Sequence, residues 1–587
     1  MTIREFEFRT GLFRFFVFGS LLCLGLALFD VQVRCGGEYR DLANRNRIRL
    51  LYLEAPRGDI YDRNGAVLAT SRPSFDVFVI PEDFDGKNAE FLSGVLGLKK
   101  EKILSKINHP KDAPFVPVLL KRDVKKAVVF KLEERKPELA GVSVEIRPIR
   151  FYPQGTCASH VIGYLGKISK REYRGQEDEG LYRFDDWIGR SGVEKIFERE
   201  LKGEDGGKQI EVNSQGRMIR VLSERDPRPG SDLALTIDSK LEEKISQIFG
   251  DRIGSAIVLD LETGEILTLV SKPNFNPNVF VSPGEGTERG RIFKNPSSPL
   301  LNRGVSTGYP PGSVFKLVTA LSALDTGVVP PGKRFFCKGF FRLNPRSRAF
   351  QCWRDGGHGA VNLFEAVEQS CNVYFYNVGS RVGPDTLSRY AHELGLGEAV
   401  ELELPNVFPG VIPNREWKKK TYHDAWYEGE TLNFAIGQGY VLTSPLQILR
   451  MVGLIATEGN LPEIHIAKTG KKTKKTRKPV VRVESIRLLK KAMTRVIQTD
   501  RGTGQLARVD FMTMAGKTGT AQAPPKEPHS WFSGFFPYEN PKYALVVLIE
   551  HGGSGGFYAA KLAKEIVLGM KETGAFDSVP GAGGANV

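Results

Sequence analysis

Six cysteines in 587 residues are too few for a disulfide scaffold. The chain also has no zinc-knuckle array, no aromatic RNP string and no helix-turn-helix pattern. That sets nucleic acid aside although the net charge is +15; the positive excess suits anionic lipid or an anionic polymer equally well. Beyond residue 33 no apolar run approaches the length at which a helix spans a bilayer. What remains is an ordinary globular balance, 26% charged and 41% hydrophobic, on a chain long enough for two or three domains.

One long apolar run is present, Phe15 to Val33, with Asp30 near its end as the sole charge. About 20 such residues cross a bilayer core. Arg4, Arg9 and Arg14 precede the run and predict a cytoplasmic amino terminus. Phe29-Asp30-Val31-Gln32 offers no small residues for signal cleavage. The expectation is an uncleaved single-pass anchor, with residues 1–14 as cytoplasmic tail, 15–33 as the membrane helix and everything later outside the cytoplasm. In a bacterium that compartment holds the cell wall.

Residues 34–54 read as an extended helix or strand leaving the bilayer. Asp62-Arg63-Asn64-Gly65 then predicts a hairpin turn between Ile60-Tyr61 and Val67-Leu68. The charges from Lys99 to Lys106 read as a solvated helix face. No catalytic pattern lies in 34–230, so this part is expected to present, dimerise or contact partners. From 231 to 575 the pattern is mixed. A helix begins near Ser239, and strands Ser255–Asp260 and Glu265–Val270 follow. Helices come next, then strands around Lys517, Trp531–Phe536 and Tyr543–Ile549, then a closing helix from Tyr558 to Met570. Two strands before the helices and three after them predict one sheet built from distant segments. Residues 576–587 read as a disordered tail.

Three short patterns in this region carry chemistry. Tyr309-Pro310-Pro311-Gly312 leads into Ser313, and Lys316 falls on the same helical face. That spacing suits a serine nucleophile with a lysine base. Ser370-Cys371-Asn372 falls between two helical runs, on a loop that can aim a hydroxyl and an amide into a cleft. Lys517-Thr518-Gly519-Thr520 lies on a strand edged by small residues, where glycine marks close approach of another backbone or a ligand. A second Lys-Thr-Gly, at 468–470, sits in a lysine-rich stretch and reads as a solvated basic loop.

Ser-x-x-Lys, Ser-x-Asn and Lys-Thr-Gly in this order are the signature of penicillin-recognising serine enzymes. Other strings extend the resemblance: Arg57-Gly58-Asp59-Ile60-Tyr61-Asp62-Arg63, Arg150-Phe151-Tyr152-Pro153, His160 to Gly166, Gly189 to Lys195 and Asn433 to Gly439. The chain resembles the class B high-molecular-weight penicillin-binding proteins, most closely their elongation-type penicillin-binding protein 2 branch. That resemblance implies an α+β multidomain fold: a single transmembrane helix, an extended pedestal or dimerisation domain and a β-lactamase-like transpeptidase domain with a five-stranded antiparallel sheet and flanking helices. The implied activity is D-Ala-D-Ala transpeptidation of peptidoglycan stem peptides through a Ser313 acyl-enzyme, with carboxypeptidation as a side activity and β-lactams as inhibitors.

In that reaction the resemblance gives Lys316 the role of base and Ser370 that of proton relay to the leaving amine. Asn372 holds the substrate amide, and Lys517, Thr518 and Thr520 hold the terminal carboxylate. Gly519 completes the third motif, and the Ser313 and Thr520 N–H groups form the oxyanion hole. A deacylating base is missing, because Glu430-Thr431-Leu432-Asn433 is one residue short of the β-lactamase element. Transfer is therefore expected over hydrolysis. Strand polymerisation falls to partners: a membrane glycosyltransferase of the SEDS type working on lipid-linked glycan, with other elongation-complex proteins.

No cofactor is required for this chemistry. Cys337, Cys352, His358 and Cys371 nevertheless form a Cys₃His set suited to a structural zinc; a Cys337–Cys352 disulfide is the alternative in an oxidising compartment. Cys23, Cys35 and Cys157 have no assigned role. Competing functions are a septal transpeptidase, which lacks the Cys/His cluster, a penicillin sensor, and a non-catalytic activator of a polymerase.

Overall fold

The computed structural model describes residues 3–37, 48–108, 117–175, 182–184, 186–213, 218–468 and 478–576. The readings of 577–587 and of Thr469-Gly470 lie outside the described residues. Helix α1 (Ile3–Phe29) continues through a π-turn at Asp30–Arg34. Within this stretch Phe8–Arg34 is long and apolar enough to cross a membrane, and its most apolar window is entirely unburied. A helix apolar all round that packs on no protein fits a lipid surrounding.

The remainder gathers into two compact units, the first comprising 1–56, 72–149 and 203–230. In it Gly206–Val212 is the centre of a three-stranded antiparallel sheet, flanked by Ile48–Leu53 and Met218–Arg225. Val77–Val79, at the end of the strand Val67–Val79, pair with Val118–Lys121. Helices Ala89–Leu96 and Lys100–Ile107 close a small core over them, with Val77, Leu92, Leu96, Ile103 and Leu120 buried. Ile103 and Ile107 are the buried residues of the second helix. Lys100 and Lys102 are exposed as a solvated face requires, but Lys106 folds onto the strand, donating from Nζ to Leu119 O at 2.9 Å and Leu120 O at 2.8 Å.

The second unit comprises 57–71, 150–202 and 231 onward. Two segments that the sequence reading placed within 34–230 thus fold with the larger unit. A buried charge network ties these two segments to each other. Fully buried Glu194 accepts from Arg150 Nε at 2.7 Å, Arg57 Nη2 at 2.9 Å and the Tyr152 hydroxyl at 3.2 Å. Burial pushes the Glu194 carboxyl up, but Arg150 and Arg57 outweigh burial and hold it below the usual carboxylate range. The hairpin at 62–65 is present, with Gly65 left-handed at φ +84°. Asp62 accepts from the Asn64 and Ala66 N–H groups and from the Ser239 hydroxyl at 2.7 Å.

The large unit is built on a sheet whose strands come from distant parts of the chain. Helix α2 (Ser239–Phe249) precedes β1 (Gly254–Asp260) and β2 (Ile266–Lys272). Helices α3 (Lys316–Thr326), α4 (Leu363–Glu368), α5 (Asn372–Val382), α6 (Glu428–Ala435), α7 (Pro445–Ala456) and α8 (Val483–Gln498) intervene. Then come β3 (Ala515–Ala523), β4 (Lys526–Phe536), β5 (Tyr543–Ile549) and α9 (Ala560–Glu572). The sheet order is β2-β1-β5-β4-β3, antiparallel throughout, as two early and three late strands predict. Every residue of β1 and β5 is buried because helices cover both faces: α2 and α9 pack together on the sheet, and α7 and α8 likewise. Strand β3 is left at the edge, where its outer side is free to meet a ligand.

Glu194→Leu strips two buried guanidiniums of their shared partner and is expected to cost ~3–5 kcal/mol in urea unfolding. Because the native carboxyl titrates below its unfolded value, this contribution is present above the unfolded pKa of about 4.3 and fades as pH falls through the depressed native one. A deficit that persists undiminished in strong acid contradicts the network.

Candidate active site

Ser313 sits in a 3₁₀ turn, Gly312–Phe315, that runs directly into α3. Crowding dictates the glycines around it. Gly312, left-handed at φ +53°, donates its N–H to Gly437 O at 2.9 Å. A Cβ on Gly437 stands 2.1 Å from Gly312 O, and one on Gly519 stands 2.9 Å from Val314 Cγ2. The serine turn is clasped between the loop after α6 and edge strand β3 by contacts that leave no room for a side chain. This is the close approach that a glycine in the third motif predicts.

Behind the turn, two lysines lie fully buried. Lys316 Nζ donates to Ser370 O at 2.8 Å, Ser370 Oγ at 3.1 Å and Asn372 Oδ1 at 2.7 Å. Lys517 Nζ donates to the same Ser370 Oγ at 3.0 Å and to Thr518 O at 2.9 Å. Burial pushes Lys316 down to about 8, with negative charge on Cys352 and Cys371 pulling the other way. Lys517 falls well below its ordinary value through burial and then through repulsion by Lys316. Burial is the largest cause at both lysines, and repulsion between them adds to it.

In the second motif Ser370 and Cys371 lie on the short loop between α4 and α5 that the sequence implies, and Asn372 opens α5. Ser370 is left-handed at φ +53°, a conformation that costs a non-glycine residue ~1–2 kcal/mol. Hydrogen bonds hold it there. Its carbonyl accepts from Lys316 and from Trp353 Nε1 at 3.1 Å, and Asn372 Nδ2 donates to Gln351 O at 3.1 Å. In the third motif Lys517 points into the buried cluster. Thr518 shares a hydroxyl hydrogen bond with Thr503 at 2.7 Å, and Thr520 Oγ1 accepts the Gly555 N–H at 3.1 Å.

All three motifs therefore meet, but Ser313 and Lys316 are not joined by a hydrogen bond. Among the described residues the half-buried Ser313 hydroxyl makes none, and the Lys316 ammonium is spent on Ser370 and Asn372. Three contributors escaped sequence reasoning: Gln351, Trp353 and Thr503. For Thr503 a signal existed in its flanking glycines, Gly502-Thr503-Gly504 just after α8.

The Cys/His cluster adjoins the second motif through Cys371. The sulfurs of Cys337, Cys352 and Cys371 and a ring nitrogen of His358 lie within 4.8 Å of one another, and the three thiols are unbridged. His358 Nδ1 is 3.6 Å from the Cys337 sulfur and 3.4 Å from that of Cys352. Tetrahedral zinc with bonds of about 2.3 Å to sulfur and 2.0 Å to nitrogen sets those atoms roughly 3.5 Å apart, so the donor set fits. A hydrogen bond from Cys371 and the nearby His358 favour a thiolate at Cys352, while Cys371 is pushed up in return.

Comparison with known proteins agrees with this geometry. Residues 254–568 match the penicillin binding protein transpeptidase domain, and residues 52–235 match the penicillin-binding protein dimerisation domain. The peptidoglycan D,D-transpeptidase MrdA of Acinetobacter baumannii is 34% identical, over 93% of this chain and 85% of the relative. A complex of penicillin-binding protein 2 with MreC from Helicobacter pylori superposes with a TM-score of 0.79 at 31% identity, covering 90% of this chain and 100% of that one. A peptidoglycan synthase complex, described as coordinating polymerization and crosslinking, gives 0.72 at 30% identity, over 96% and 98% of the two chains. The chain belongs to the penicillin-binding protein transpeptidase family.

The glycine clasp yields a graded prediction. Gly437→Ala and Gly519→Ala are each expected to cost roughly 1–3 kcal/mol through overpacking. Gly439→Ala meets its nearest atom at 3.7 Å and carries only the left-handed penalty of ~1–2 kcal/mol, which Gly437→Ala, at φ +74°, bears on top of its clash. Thermal unfolding ranks the three, and equal losses would sink the clasp.

Proposed function

We propose that the chain is an elongation-type peptidoglycan D,D-transpeptidase with Ser313 as its nucleophile. The observation that carries this reading is the convergence of two buried lysines on Ser370 beside the Ser313 turn. Lys316, brought toward neutrality by burial, takes the Ser313 proton as the serine attacks the penultimate D-Ala carbonyl of a stem peptide. The backbone N–H groups of Ser313 and Thr520 receive the developing oxyanion. Ser370 passes a proton to the departing D-Ala amine, and Asn372 holds the substrate's peptide amide. Lys517, Thr518 and Thr520 bind the terminal carboxylate at the open edge of β3. An amine of a second stem then attacks the acyl-enzyme and closes a 4→3 crosslink. A β-lactam mimics the donor and arrests the enzyme at the acylated serine.

Residues 15–33 anchor the protein in the bacterial inner membrane, with 1–14 in the cytoplasm and the rest in the periplasm. Residues 34–230 act as pedestal, 231–575 carry out catalysis and 576–587 form a tail. The solved complexes with MreC and of a peptidoglycan synthase support a partnership with elongation-complex proteins and with a polymerase; in this reading the polymerase is a SEDS-type glycosyltransferase acting on lipid-linked strands. Cys337, Cys352, His358 and Cys371 would hold a zinc ion, and the metal would supply a structural cross-link between the 337–358 segment and the stretch of Ser370 and Asn372.

Acylation by labelled penicillin tests the base assignment. Below the Lys316 value of about 8, the rate constant is expected to rise about tenfold per pH unit and then level off. Lys316→Ala should lose a factor of ~10²–10⁴. A flat profile between roughly pH 6 and pH 9 contradicts the assignment. For the metal, purified protein is expected to carry about one zinc per chain, lost in Cys352→Ser together with thermal stability. Zinc-free protein that melts as high as the loaded form contradicts that site.

A further inference from the structure

Trp353 follows Cys352 directly and is 58% exposed, so burial of its ring is not its main contribution. Its N–H is fully committed. Trp353 Nε1 donates to Gln369 O and to Ser370 O, each at 3.1 Å. The ring lies edge-on to His358, with centroids 5.3 Å apart. Two residues earlier, Gln351 O accepts from Asn372 Nδ2 at 3.1 Å and from the Tyr376 hydroxyl at 3.2 Å. The short run 351–353 therefore grips both flanks of the loop that carries Ser370 and Asn372.

The grip matters because Lys316 is the other group holding that loop. All three of its N–H bonds go to Ser370 and Asn372. A lysine that acts as base has only two N–H bonds and must aim its lone pair at Ser313. During that interval the Ser370 carbonyl, on a left-handed backbone, keeps the indole as its donor. We propose that Trp353 is a positioning residue for leaving-group protonation: its N–H fixes the Ser370 backbone and so aims the Ser370 hydroxyl at the departing amine. This rests on the transpeptidase reading above.

In the acylation step the Ser313 Oγ–carbonyl bond forms and the C–N bond to the terminal D-Ala breaks. The nitrogen takes its proton from Ser370 Oγ, which is refilled from Lys316 with the proton that came from Ser313. An amide nitrogen leaves only when protonated. A thiolate leaves without a proton, so a thioester substrate bypasses the step that Trp353 serves.

The test compares two probes on the full-length protein in detergent: an acyl-D-Ala-D-Ala peptide and an acyl-D-alanyl thioester. Trp353→Phe keeps an aromatic ring beside His358 and removes the N–H. Its kcat on the amide is expected to fall about tenfold or more with little change in KM, while thioester turnover stays within about twofold of wild type. Trp353→Ala should show an amide defect at least as large. Equal loss on both probes marks a merely structural residue and overturns the proposal, as does undiminished amide turnover in either variant. Wild-type protein that is acylated at Ser313 by neither probe overturns instead the transpeptidase reading beneath it.

Discussion

Two lysine side chains without solvent exposure share one serine hydroxyl, and much of the site follows from making that arrangement tolerable. A buried ammonium is costly, and two close together more so. Burial favours the neutral amines, and what charge remains is met by oxygens of Ser370, Asn372 and Thr518. Supplying those oxygens needs a carbonyl, a hydroxyl and an amide converging from a single short loop. The loop can do so only with Ser370 in a left-handed conformation, and that conformation must be held from outside by the segment that carries Gln351 and Trp353. The Cys/His cluster ties the same segment to Cys371, between the two functional side chains. Electrostatic demand at the centre thus dictates backbone geometry two layers away.

A second constraint is steric. The Ser313 turn is pressed between β3 and the loop after α6, with glycine at each point of closest approach. That placement sets Ser313 beside the lysines although its own hydroxyl is left without a hydrogen bond. A group held by its backbone and free at its oxygen is arranged to react with something that arrives from solvent. The five-stranded sheet provides the frame by pairing strands more than 200 residues apart in sequence, such as Val258 with Leu545.

The parts legible in sequence were those with local signatures. The hairpin, each strand of the two-plus-three pattern and each of the three short motifs are written within a dozen residues, and the apolar run within twenty. Gly519 in a strand announced close contact before its partner was known. Spacing put Ser313 and Lys316 three residues apart but gave no sign of the hydrogen bonds of Lys316, which go to residues more than 50 positions away. Trp353 and Gln351 were illegible because they act through backbone carbonyls and an indole N–H in an irregular segment with no periodicity. The grouping of 57–71 and 150–202 with the larger unit was hidden for a related reason. It depends on Asp62 accepting from Ser239 and on Asn278 bonding the Tyr152 backbone, with Arg57, Arg150 and Glu194 joining the two segments to each other, and no sequence pattern marks a buried polar contact as distinct from a surface one.

The central claim is that Ser313 is the acylated residue. Peptide mapping by mass spectrometry after exposure of the full-length protein to a penicillin tests it directly. The account predicts a single adduct of intact drug mass on Ser313, absent from Ser313→Ala. An adduct on any other residue, or none at all on folded protein, would contradict it.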